Sequence, residues 1–177
     1  HNGIGVKVLG SYNLPCLAYK YMAPGHNSAL IDDDKMFLVY HQRFSTGNEG
    51  HELRVHQMLM NENGWPCVLP YEYTGETVAD GYKKDEVAGT YYMIKQDPND
   101  NTSAVEYNAV ALNDDGTLSG YLKGSWEMKD NSIYLSIKCG TATYQGVICE
   151  MKDEAGTDCM AISLIGENNC SLLGVKY

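Results

Sequence analysis

The sequence predicts an all-β protein: one twisted antiparallel sheet of about four strands, then a small antiparallel barrel or sandwich. Three observations carry this. Apolar or alternating runs recur along the chain and are separated by clusters of Gly, Asn and Asp. Tyrosine is used 14 times against two Phe and two Trp, and tyrosine suits half-exposed sheets. No stretch holds a helical period for more than a turn or two.

The first sheet is read from "VKVLGSY", "NSALID", "KMFLVYHQRF", "HELRVHQMLM" and "WPCVLPY". The turns between them are "DDDK", "STGNEG" and "NENG". In the fourth run Leu53, Val55, Gln57 and Leu59 fall on one face, and Glu52, Arg54, His56 and Met58 on the other. The polar stretch "YEYTGETVADGYKKDE" joins this sheet to the second half. There the runs are "VAGTYYMIKQ", "AVEYNAVALN", "LSGYLKGSWEMK", "SIYLSIKC", "TYQGVICEMK", "CMAISLIG" and "CSLLGVKY". Their turns are "DPNDN", "NDDG", "KDN", "DEAG" and "GENN". Short strands at even spacing are the pattern of a closed antiparallel fold. Composition marks the same divide. All five histidines precede residue 57, and 16 of the 23 acidic residues follow residue 75.

A net charge of −10 argues against nucleic acid or an anionic membrane surface as partner, since both call for a basic face. A neutral polymer such as a polysaccharide is compatible with it. No apolar run is long enough to span a bilayer. The chain begins with His1 rather than Met and shows no signal peptide, which reads as a processed or trimmed end. None of the six cysteines sits in a CxxC pair, so structural zinc has no support. They are read as buried free thiols, with disulfides in a secreted protein as the alternative.

His26 stands in "PGHNS" at the start of a strand. It is either a turn histidine capping backbone groups, or a metal ligand or polar pocket residue. No HxH or HExxH spacing supports zinc, and a lone histidine holds a metal only when other ligands or ordered waters complete the shell. His41 and Arg43 alternate on one strand, and Arg54 and His56 on the next. If the strands pair, the four are expected on one side of the sheet. They would form a buried polar layer bonded to backbone and to Glu49 or Glu52, or the wall of a polar cleft. Asp32, Asp33 and Asp34 lack calcium-loop spacing and are read as a hairpin turn. No nucleophile-elbow, dinucleotide or phosphate-loop motif occurs. Glycoside hydrolysis needs two carboxylates about 5 to 9 Å apart, and of the first half's acids only Glu52 is strand-borne, with no evident acidic partner.

"APGHNSALIDDDKMFLVYHQRF" followed by "GHELRVHQMLMNENGWPCVLPYEYTGE" resembles the end of the catalytic domain of family 43 glycoside hydrolases, in particular the endo-α-1,5-L-arabinanases. "GYKKDEVAGTYYMI", "LNDDGTLSGYLKGSWEM", "TYQGVI" and "SLLGVKY" resemble the β-barrel domain that follows it. The resemblance implies that residues 1–74 are a β-propeller-blade-like sheet, the last blade of a five-bladed propeller, and residues 75–177 a C-terminal β-barrel accessory domain. It implies a secreted, extracellular parent acting on arabinan or arabino-oligosaccharide. It also implies that His26 binds a calcium ion whose shell is otherwise largely water. The family's catalytic carboxylates lie on earlier blades, so no catalytic residue is assigned and the chain alone is expected to be inactive. Its partners are expected to be the missing blades or a second copy. The competing class is a non-catalytic carbohydrate-binding or scaffolding module, supported by the tyrosines and by Trp126 if its ring faces a sugar. A lipocalin-like pocket for a small apolar ligand is a further alternative.

Overall fold

The computed structural model describes residues 5–46, 50–99 and 103–177. Among these residues twelve strands and one helical turn follow in order. β1 (Tyr21–Asp32), β2 (Lys35–Phe44), β3 (Glu52–Met60) and β4 (Pro66–Val68) form an antiparallel sheet in sequence order. The turn α1 (Lys84–Val87) leads into the second unit. That unit comprises β5 (Gly89–Gln96), β6 (Asn108–Leu112), β7 (Thr117–Gly120), β8 (Gly124–Met128), β9 (Tyr134–Cys139), β10 (Ala142–Lys152), β11 (Asp158–Gly166) and β12 (Ser171–Lys176). β12 pairs with β5 and closes these eight strands into a barrel. The all-β expectation holds.

Two runs behave differently from their sequence reading. "VKVLGSY" forms no strand; it lies as an extended segment along the barrel. Ser171 Oγ donates to the Lys7 carbonyl at 2.8 Å, and Tyr12 bridges both Tyr21 and Val105. "LSGYLKGSWEMK" is two strands, not one, because the chain turns at Tyr121–Lys123 between two positive-φ glycines, Gly120 and Gly124. The Asp33–Asp34 turn joins β1 to β2 as expected, with Asp33 at φ 51° and Asp32 opposite Lys35.

The barrel interior is filled. Tyr91, Val110, Trp126, Ile137, Ile148, Ile162 and Leu172 meet there, and Tyr82 and Val87 plug the end where α1 sits. Interior side chains occupying the axis remove the apolar-ligand pocket. A second core lies outside the barrel. Tyr12, Leu14, Tyr21, Cys67, Leu69 and Tyr71 pack on Ile94, Val147, Cys149, Ala161, Leu173 and Val175. The wall made by β10, β11, β12 and β5 is therefore buried on both faces. This explains why "CMAISLI" is buried at six consecutive positions, Cys159 to Leu164, instead of alternating. Close packing reaches the backbone at Gly146, where a Cβ would stand 1.9 Å from the Ser163 carbonyl oxygen.

All six cysteines are free thiols. No helix among the described residues is long and apolar enough to cross a membrane.

Candidate functional site

The register of β2 on β3 decides which polar side chains meet. His41 lies opposite Leu53, and Tyr40 opposite Arg54. Odd residues thus share one face and even residues the other. His41 and Arg43 are on one side and Arg54 and His56 on the other, so the expected four-residue layer does not form. Glu49 lies outside the described residues.

On the odd face His41, Arg43 and His51 gather beside His26. The His26 and His41 rings are 6.1 Å apart and those of His41 and His51 4.8 Å. Arg43 Nε donates to His51 Nε2 at 2.8 Å. Two register shifts break the β1–β2 ladder on either side of Gly25. They place Ala23 at φ 44° and His26 at φ 51°, a left-handed conformation costly for a side-chain-bearing residue. The bulge turns His26 out of the sheet and leaves it exposed. Among the described residues no three His, Cys, Asp or Glu side chains gather around a common ion position. Calcium takes six to eight oxygen ligands. His26 therefore fits such an ion only as one ligand of a shell completed by water or by groups outside these residues.

On the even face His56 is a core residue. Its Nδ1–H donates to the Leu69 carbonyl at 2.7 Å, and the Tyr40 hydroxyl donates to Nε2 at 3.1 Å. Complete burial pushes its pKa down to about 4, so the ring is neutral. Arg54 organises the junction with the barrel. It pairs with Glu52 at 2.9 Å and with Glu72 at 3.6 Å, and its guanidinium lies 5.0 Å from the Phe44 ring centroid. Arg54 Nε donates to the Tyr21 hydroxyl, which donates to Glu154 Oε1. Burial raises the Glu72 pKa; Arg54 opposes this and Glu154 adds to it. Glu52 thus has acidic neighbours after all, which the sequence missed because Glu154 is a hundred residues away and sits in a turn. A cleft of about 380 Å³ opens over this junction, with Tyr19, Glu52, Arg54 and Glu154 in its lining. A larger cleft of about 900 Å³ lies at the α1 end of the barrel, with Glu76, Glu150, Lys152, Lys176 and Tyr177 in its walls.

Trp126 is 3% exposed, and its Nε1–H donates to the Asn113 carbonyl at 2.8 Å. It is barrel core, so a sugar-stacking role for this residue is withdrawn.

The fold is a filled, closed eight-stranded β-barrel covered along one wall by a small four-stranded antiparallel sheet. Residues 70–174 match the GH43_C family, a C-terminal lipocalin-like domain, and the chain belongs to that family. It is 34% identical over 178 residues to the extracellular endo-α-(1→5)-L-arabinanase 2 of Bacillus subtilis, covering 97% of this chain and 38% of that protein. The extracellular endo-α-(1→5)-L-arabinanase of Thermotoga petrophila is 35% identical over 81% of this chain and 32% of its own length. Among solved structures, the family 43 glycoside hydrolase YxiA protein of Bacillus licheniformis superposes with a TM-score of 0.90 at 32% identity, over 97% of this chain and 39% of that one. The endo-1,5-α-L-arabinanase of Thermotoga petrophila superposes with a TM-score of 0.87 at 28% identity, over 96% and 40%. The chain spans about a third to two fifths of the length of these relatives.

Proposed function

We infer that this chain is the C-terminal part of a secreted, arabinan-degrading family 43 glycoside hydrolase. Residues 1–74 serve as the last blade of its propeller, and residues 75–177 as a barrel that braces that blade. The single observation that supports this is similarity over 97% and 81% of the chain to extracellular arabinanases of which it spans only 38% and 32%. β1 is an edge strand of its sheet, and Leu30 at 49% and Ile31 at 74% exposure leave both of its faces open; the remaining blades dock there. The hydrolytic carboxylates reside in that remaining part. His26, held outward by its bulge, contributes one ligand to a water-rich calcium shell there.

Reducing-end release from linear arabinan tests this reading. The purified chain is expected to release none. Release would move the chemistry to Glu52, Glu72 and Glu154. Calcium is expected to leave the melting temperature of this chain unchanged. A calcium-dependent rise abolished by His26→Ala would mean the ion site is complete within these residues.

A further inference from the structure

Three exposed tyrosines stand together on the barrel's outer face, beyond the edge of the covering sheet. Tyr92 on β5 lies opposite Ala109 on β6. The Tyr121 N–H donates to the Ala109 carbonyl at 3.0 Å, which places Tyr121 across from Ala109 on the other side. Tyr92, Ala109 and Tyr121 thus form one cross-strand row with a small residue at its centre. Two interstrand spacings separate the outer members, about 10 Å. Tyr107 precedes β6 and meets Tyr92 edge-on, with centroids 5.4 Å apart and planes at 76°. Tyr92 and Tyr107 are each 38% exposed and Tyr121 is 64% exposed.

Gly120 sets the position of Tyr121. Its φ is 95°, and a Cβ there would stand 2.5 Å from the Ala109 carbonyl oxygen. Only glycine lets the chain close on β6 and then present the next side chain outward. A shallow floor between aromatic rings suits a sugar chain, because ring faces stack on C–H faces of saccharides while tyrosine hydroxyls and exposed backbone reach its hydroxyls. The net charge of −10 disfavours an anionic polymer.

We propose that Tyr92, Tyr107 and Tyr121 form a binding platform for a neutral linear polysaccharide. The choice of arabinan as that polymer rests on the function proposed above. The platform itself does not.

Affinity electrophoresis of the full chain through gels containing linear arabinan, xylan or polygalacturonate tests it. Linear arabinan is expected to retard the chain. Tyr121→Ala is expected to weaken binding about fivefold or more, and the Tyr92→Ala/Tyr107→Ala/Tyr121→Ala variant to abolish it at an unchanged melting temperature. Tyrosine-dependent retardation by xylan alone would keep the platform and reject arabinan. No retardation by any polymer, or retardation unchanged in the triple variant, would overturn the proposal.

Discussion

The Tyr21 hydroxyl donates to Glu154 Oε1 at 2.6 Å, tying the first strand of the sheet to the β10–β11 hairpin of the barrel. The same hydroxyl accepts from Arg54 Nε at 3.1 Å, so one oxygen links a cation on the sheet to an anion on the barrel. Tyr21→Phe removes both bonds and keeps the packing. It is expected to cost about 1–2 kcal/mol, read as a lower urea midpoint. In a Glu154→Gln background the cost should shrink, because the charged acceptor is already gone.

His56 makes stability depend on pH. Its folded pKa of about 4 lies below the ordinary value near 6.5, so the unfolded chain binds the extra proton between them. Stability contributed by the neutral ring is present above pH 6.5 and falls as pH drops toward 4. The loss between pH 7 and pH 5 is about 2 kcal/mol for this group. His56→Gln should lower stability at pH 7 and flatten that part of the profile, checked by urea titrations at both values.

Gly146→Ala tests the tightness of the barrel wall. The added methyl would meet the Ser163 carbonyl, a backbone atom that cannot swing aside. A destabilisation of about 3 kcal/mol or failure to fold is expected. Gly156→Ala, whose Cβ would meet nothing within 4 Å but whose φ is 81°, should cost only about 1 kcal/mol. Thermal melts of both separate crowding from backbone strain.

Thiol labelling should be ordered. Burial pushes Cys67, Cys149 and Cys159 up to about 12, which keeps them as inert thiols. Cys16 is the exposed one. An aromatic disulfide reagent should label Cys16 first in the native chain and reach all six only in denaturant, with mass spectrometry identifying the site.

The strands were legible where burial alternates, as in "SIYLSIKC", which forms β9 at Tyr134–Cys139 with Leu135 and Ile137 buried and Lys138 exposed. The hairpin inside "LSGYLKGSWEMK" was hidden because Leu122 and Tyr121 give its turn an apolar look. The parity that separates His41 from Arg54 was not legible either. It follows from the offset of the two strands, which alternation within each strand does not define. For the candidate sites, His26 was visible through its Pro-Gly neighbours, whereas the Tyr21–Glu154 bond joins residues 133 positions apart. The tyrosine row was present only as an unusual count until strand pairing assembled it.

The wall of β10, β11, β12 and β5 serves two cores at once, and this has a consequence for how the chain melts. Peeling the four-stranded sheet away would bare Val147, Cys149, Ala161, Leu173 and Val175 along the barrel, an apolar stripe that water penalises strongly. Neither unit can therefore open without raising the free energy of the other. Heat should produce a single calorimetric transition, and the slowest-exchanging amides should lie in β10 to β12.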